Sequence, residues 1–385
     1  MDSMYYIKKY NEYRKNVLNM QASENVLSPN AKMALSSDMA SRYSLKIENY
    51  NAYGGTLYFD EILKLLEYNV KKLFNAGFSE SRPLSGHIAS EISLLSIINN
   101  NKNVAAVSEE DGGYPGYTNS NLERVIGFRT YKIPYKNFSI DYDELEKSVK
   151  TNKIGTVILG QSMFIKSYDM KRIHEIAEKY NSGVVYDGSH VMGLIAGNAF
   201  QTDALKYSDI LFGSTHKTFF GPQGGIILTD NDEIYDKIVN NTIFKTMDNI
   251  NLSRVAALSV SVEEMLKYGD KYAKNVVKNT GELIKALNEL KFKLLDGSEI
   301  SETHQILLDE KFLSEKGYSF LTFSEEMERN KIIIDRFGRI GTQEITRYNI
   351  NDMNEIAYII NDTYNKLNIN NEINSMIDRK ELKYW

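Results

Sequence analysis

The residues with the clearest chemical potential lie between Tyr207 and Leu228, in the stretch Y-S-D-I-L-F-G-S-T-H-K-T-F-F-G-P-Q-G-G-I-I-L. Lys217 stands there beside His216, just after the hydroxyl residues Ser214 and Thr215. A lysine held among small polar groups at a strand end, partly out of water, loses basicity and can condense with a carbonyl. Upstream, V-V-Y-D-G-S-H (residues 184–190) is an apolar run that ends in Asp187, with His190 three positions on. A carboxylate for a pyridine nitrogen and a lysine for an aldehyde carbon are the two anchors that pyridoxal phosphate requires. Alone, Lys217 reads equally as a solvated loop lysine; the second anchor tips the balance.

These groups need a scaffold. Residues 210–212 and 226–228 read as strands on either side of the polar turn and the glycine-rich bend 221–225. Further upstream, strands at 104–107, 156–159 and 183–186 alternate with helices at 143–150 and 170–180. Such alternation predicts βαβ units and a mostly parallel sheet. Catalytic groups gather at the carboxyl ends of such strands, where Asp187 and Ser162 fall. Residues 57–74 form an amphipathic helix with Ile62, Leu65, Leu66 and Leu73 on its apolar face. R-P-L-S-G-H (82–87) leads into a helix over 88–100; small residues at a helix start let amides face a phosphate, although a plain cap looks the same. Ser28 and Pro29 fit a helix N-cap and first turn within a polar, tyrosine-rich segment 1–50. Beyond Leu228 the pattern changes to helices at 232–240 and 253–290, the latter broken near Gly269. Short strands at 292–295, 305–308 and 331–334 and a last helix over 353–367 make a smaller α+β region.

Bulk composition narrows the options. At 385 residues the chain is long enough for two domains. A net charge of −5 gives no nucleic-acid footprint. Absence of cysteine excludes disulfides and thiolate metal sites, and five scattered histidines suggest no dedicated metal centre. The N-terminus lacks a signal-peptide core, and no apolar run approaches the ~20 residues of a membrane span. A cytoplasmic location is the expectation.

Several motifs occur together: D-G-S-H (187–190), S-T-H-K-T-F-F-G-P-Q-G-G (214–225), Q-A-S-E-N-V-L-S-P-N (21–30), Y-G-G (53–55), S-G (85–86) and G-R-I-G-T-Q-E-I-T-R (338–347). In this order they resemble the serine hydroxymethyltransferase family. The resemblance implies an α/β, PLP-dependent transferase of fold type I. It has a large domain with a mostly parallel seven-stranded sheet flanked by helices, and a smaller C-terminal α+β domain. It divides the chain into an arm at a dimer interface (1–50), a cofactor domain (51–255) and a small domain (256–385), with the boundary inside the long helix near 250–275.

By the same resemblance, Lys217 binds pyridoxal phosphate covalently and Asp187 keeps its ring nitrogen protonated. Ser189 packs against the ring, and His190 bonds the ring oxygen or the substrate carboxylate. Ser85, Gly86, His87, Ser214 and His216 surround the phosphate and ring, and Ser162 lies near the ring oxygen. Tyr43 reaches the phosphate across a homodimer, while Tyr53 lies over the reacting bonds. Arg339 clamps a small amino-acid substrate by its carboxylate, near Ser23. His174 is a surface residue, and His304 receives no role.

Four departures from the family pattern bear on function. The catalytic glutamate two residues after Tyr43 is replaced by Leu45, which cannot shuttle a proton; Glu48 would substitute only in a shifted register. Asp335-Arg336-Phe337-Gly338 is all that remains of a loop lining the folate pocket. The stacking histidine aligns with Asp111, leaving Tyr114 to stack and Asp111 as a possible alternative base. The glycine-rich phosphate loop has become K-T-M-D-N-I-N (245–251), and the arginine of G-P-R-G-G is Gln223. The first two changes remove what folate needs and spare the cofactor core. The leading expectation is reversible Cα–Cβ cleavage of a 3-hydroxy amino acid (threonine, allo-threonine or serine) to glycine and an aldehyde, without folate. The alternatives are true hydroxymethyl transfer with tetrahydrofolate or a modified pterin, transamination or racemisation, and a non-catalytic cofactor-binding protein.

Overall fold

The computed structural model describes residues 2–47, 50–118, 121–367 and 369–383. Its contacts divide the chain into two compact units, Asn25–Ala273 and Met1–Glu24 with Lys274–Trp385.

The first unit is built on seven strands: β1 (Phe78–Glu80), β2 (Asn103–Ala106), β3 (Arg129–Lys132), β4 (Thr156–Gly160), β5 (Gly183–Asp187), β6 (Ile210–Ser214) and β7 (Gly225–Thr229). Their order is β1-β7-β6-β5-β4-β2-β3. Neighbours from β6 through β3 run parallel, and β7 runs antiparallel to both β6 and β1. The expected α/β sheet, seven-stranded and mostly parallel, is therefore present. Strands β4, β5, β6 and β7 are buried at almost every position, as apolar strands covered on both faces must be.

Helix α1 (Gly86–Ile97) lies against β6 and β7. It starts two residues earlier than its apolar pattern suggests, because Ser85 Oγ caps it by accepting from the Ile88 amide at 3.1 Å. Its small residues Gly86, Ala89, Ser90 and Ser93 are buried, which brings the helix close to the sheet. The helix Leu57–Phe74 has the expected bounds and, except at Leu65, the expected face, with Ile62 and Leu73 half-buried. Phe59, Leu66 and Val70 are buried, while Leu65 is 45% exposed.

Helix α2 (Leu252–Glu289) runs unbroken for 38 residues, so the break expected near Gly269 does not occur. Glycine there serves close packing. A Cβ on Gly197 would stand 2.4 Å from the Gly269 carbonyl oxygen, so the two backbones touch.

The second unit joins both ends of the chain. The strand Leu18–Asn19 pairs in parallel with Ile332–Ile333, and Gln305–Leu307 pairs antiparallel with Arg339–Gly341. Its core gathers Met20, Phe292, Phe312, Phe323, Ile340 and Tyr364. The first 24 residues group with 274–385, and the two units part at Ala273/Lys274, inside α2. Three local expectations also change. Residues 292–295 make only an isolated bridge, Leu294 with Leu308. The helix Met353–Tyr364 stops early and is followed by another, Asn370–Asp378. The polar N-terminal segment contains a helix, Ser3–Lys15, with no buried residue, so it had no apolar periodicity to reveal it. Among the described residues no helix is long and apolar enough to cross a membrane.

Candidate functional site

Parallel strands present their carboxyl ends on one edge, and the candidate residues follow directly from those ends. Asp187 is the last residue of β5 and only 7% exposed. Its Oδ1 accepts from the Ser189 amide at 2.9 Å, and its Oδ2 accepts from the Tyr117 hydroxyl at 2.7 Å. The neighbouring β4 makes room through Gly160, where a Cβ would stand 2.6 Å from Asp187 Cβ. Two donors, one on each oxygen, hold this buried carboxylate in a single orientation.

Beyond β6, the Ser214 amide donates to Ser189 Oγ at 3.2 Å, tying the β5 and β6 termini together. The start of α1 closes onto the same spot. A Cβ on Gly86 would stand 2.2 Å from Ser214 Oγ and 3.2 Å from Ser189 Oγ. Only glycine fits, and it leaves the amides of a 12-residue helix at the group's edge. His87 Nδ1 lies 3.0 Å from the Tyr114 hydroxyl, and Tyr114 meets Tyr117 edge to face at 5.3 Å. Ser162 follows β4, with its amide donating to the Gly112 carbonyl at 2.8 Å.

Lys217 sits in a tightly held loop. The Gly221 amide donates to the Thr215 carbonyl at 2.7 Å, and the Thr215 amide to the Gly224 carbonyl at 3.1 Å. Thr218 Oγ1 donates to the His190 carbonyl at 2.8 Å, so the loop is fastened to the segment after Asp187. Asn25 Nδ2 donates to the Lys217 carbonyl at 2.7 Å and to the Tyr272 hydroxyl at 2.9 Å; that hydroxyl in turn donates to the Thr218 carbonyl at 2.9 Å. Next to Lys217, burial and then the lysine's charge push His216 down to about 4, so its imidazole is neutral near pH 7. Its buried Nδ1 finds no hydrogen-bond partner among the described residues.

Tyr43 and Tyr53 form a different group. Their rings lie 4.5 Å apart and both are exposed. The Tyr43 hydroxyl donates to Asp248 Oδ2 at 2.8 Å, and this bond pushes its pKa up to about 12. Leu45 is buried, as an apolar residue should be. Glu48 lies outside the described residues. Of the pair weighed for stacking, Asp111 faces Ser108 Oγ at 2.7 Å and Lys132 Nζ at 3.3 Å, whereas Tyr114 belongs to the Asp187 group.

Arg339 and Ser23 belong to the second unit. Arg339 Nε donates to Asp335 Oδ2 at 2.6 Å, and Asp335 Oδ1 accepts from the amides of Phe337 and Arg339. The short turn 335–338 thus orients the arginine, with Gly338 supplying a φ of +81°. A Cβ on Gly341 would stand 2.7 Å from Ala22 Cα, so the strand of Arg339 touches the segment of Ser23. Gln343 Nε2 pins that segment by donating to the Gln21 and Glu24 carbonyls, each at 2.7 Å.

Three residues here escaped sequence reasoning: Asn25, Tyr117 and Asp335. Each lies inside or beside a motif already noticed, in Q-A-S-E-N, D-G-G-Y-P-G-Y and the shortened turn. Only their contacts distinguish them from neighbours.

The first unit's group fits a phosphorylated pyridine aldehyde. It offers a glycine-cradled helix start, a doubly bonded carboxylate, an unpartnered buried imidazole nitrogen and a lysine on a fixed loop. Comparisons with known proteins agree. The family model described as serine hydroxymethyltransferase matches residues 2–336. The serine hydroxymethyltransferase of Methanothermobacter marburgensis is 34% identical over 374 residues, covering 92% of this chain and 87% of the relative. That of Pyrococcus abyssi is 30% identical over 378 residues, covering 93% and 88%. A crystal structure of L-threonine transaldolase from Pseudomonas fluorescens, in its internal aldimine state, has the same fold. Its TM-score is 0.85 at 23% identity, covering 99% of this chain and 92% of the other.

Proposed function

Since the chain belongs to the serine hydroxymethyltransferase family and is a pyridoxal-phosphate-dependent enzyme, we propose that it cleaves the Cα–Cβ bond of a 3-hydroxy amino acid without folate. Threonine, allo-threonine or serine would yield glycine and an aldehyde. The observation that carries this reading is Leu45, buried where the family pattern has its catalytic glutamate, together with the four-residue turn 335–338 in place of a folate-lining loop. Neither change touches the group around Asp187 and Lys217.

Lys217 would hold the cofactor covalently, Asp187 would bind its ring nitrogen, and Ser85, Gly86, His87 and Ser214 would receive its phosphate. Bound pyridoxal phosphate supplies an electron sink for the electrons of the broken bond. The chain's own residues then set which bond breaks. Arg339, oriented by Asp335, would grip the substrate carboxylate through its guanidinium. Ser23 would lie beside it. A fixed carboxylate limits rotation about Cα and leaves the Cβ hydroxyl near a proton acceptor. Neutral His216 is available beside Lys217, His190 would act from the segment fastened to that loop, and Tyr53 would act from the tyrosine pair. Homodimerisation would bring Tyr43 to a neighbouring phosphate.

The test is direct. Purified protein is given serine, threonine or allo-threonine with and without tetrahydrofolate, and glycine and aldehyde are quantified. Glycine from threonine or allo-threonine, unchanged by folate, is the expected result. Serine turnover that requires folate would retire the proposal. That second reading, a working hydroxymethyltransferase, is favoured by the names of the relatives above.

A further inference from the structure

Tyr117 is fully buried, and its hydroxyl donates to Asp187 Oδ2 at 2.7 Å. From α1, Ser90 Oγ donates to the same phenol oxygen at 3.3 Å. The three side chains form a line, Ser90 to Tyr117 to Asp187, running from a helix through a short loop to the end of β5. On the other carboxylate oxygen the Ser189 amide donates at 2.9 Å. The phenol is a permanent donor: burial and the charge of Asp187 raise its own pKa well above the usual tyrosine value.

We propose that Tyr117 is a positioning residue of the cofactor site, whose hydroxyl fixes the Asp187 carboxylate against the pyridine nitrogen, the contact that keeps that nitrogen protonated. This rests on reading Asp187 as the partner of that nitrogen. The physical argument is short. A buried carboxylate keeps one orientation only while donors satisfy its oxygens. Among the described residues Asp187 has two, and Tyr117 is the one supplied by a side chain. Remove its hydroxyl and Oδ2 loses its anchor, so the carboxylate turns away from the ring nitrogen and no longer favours its protonated form. The ring then accepts electrons less well, and the contact that retains the cofactor weakens. An aromatic residue that merely filled the core would have no such reach, because phenylalanine would fill the same volume.

The measurement is the 15N chemical shift of ring-labelled pyridoxal phosphate bound to the full chain, read in the wild type, Tyr117→Phe and Asp187→Asn, with cofactor retention by dialysis. The expected result is a chiefly protonated ring nitrogen in the wild type. In Tyr117→Phe the shift should move toward neutral pyridine, with cofactor affinity lowered at least tenfold. Incorporating 3-fluorotyrosine at position 117 keeps the ring and strengthens the donor. It should leave the nitrogen at least as protonated as in the wild type, so the proposal stays testable should Tyr117→Phe fold poorly. An unchanged shift in Tyr117→Phe, even with a lower melting temperature, overturns the proposal alone. A shift that Asp187→Asn also leaves unchanged overturns the reading of Asp187 and the proposal with it.

Discussion

Single residues in this site are set by what surrounds them. Asp187 and His216 illustrate opposite cases. Hydrogen-bond donors on both oxygens hold the carboxylate in place, while the imidazole, its Nδ1 without a partner among the described residues, is kept neutral by burial. The folded value of His216, about 4, lies below the ordinary histidine value of about 6.5. Its neutral form therefore stabilises the fold fully above pH 6.5, and that contribution is lost as pH falls toward 4. In melting temperature against pH, the wild type should fall relative to His216→Gln as pH drops from 6.5 to 4. Parallel curves would mean that His216 titrates as if exposed. Activity, by the same reasoning, should show no ionisation of His216 between pH 6 and 8.

At the scale of elements, the site depends on how closely α1 approaches the ends of β5 and β6. Gly86 is the contact point, with 2.2 Å from its would-be Cβ to Ser214 Oγ. Gly86→Ala should push the helix start outward and destabilise the protein by about 1–3 kcal/mol, the usual cost of overpacking. The double variant Gly86→Ala/Ser214→Ala removes the clashing oxygen, leaving Ser214 Cβ at 3.3 Å, and should regain most of that loss in denaturant melts. No recovery would mean that the glycine is needed for its backbone rather than for space. The loop of Lys217 is a second element-scale device. It is fastened to its surroundings by Asn25, Thr218 and Tyr272, so the lysine extends from a backbone that does not wander.

At the scale of the whole molecule, exposed aromatic and aliphatic side chains cluster in sequence at Tyr43, Tyr50, Tyr53, Leu57 and Tyr58. Exposed apolar side chains of this kind suit a protein partner, and the family resemblance would make that partner a second copy of the chain. If Tyr43 serves the neighbour's site, co-expressed Lys217→Ala and Tyr43→Phe chains should form mixed dimers with one intact site. Activity should then appear in the mixture that neither variant has alone. Failure of the mixture to recover, in a preparation proved to contain hybrid dimers, would place Tyr43 in its own chain's site.

What the order of residue types settled by itself was the mostly parallel sheet, with candidate residues named along its carboxyl edge. Apolar runs of strand length alternate with amphipathic helices, and period and length leave few other architectures. Asp187, Lys217, Ser85 and Gly86 were legible because each stands at the junction of a recognisable strand or helix with a polar turn. Tertiary structure decided the rest. Tyr117 looked like one of twenty-six tyrosines until its hydroxyl met a carboxylate seventy residues away. Gly269 looked like a helix breaker until Gly197 packed against it. The N-terminal segment looked polar and without period until Leu18 and Asn19 paired with strand residues more than three hundred positions later. Short-range pattern records which surfaces are apolar and which turns are tight. It carries no record of which distant partner satisfies a buried donor or fills a close contact, because that depends on where the chain returns.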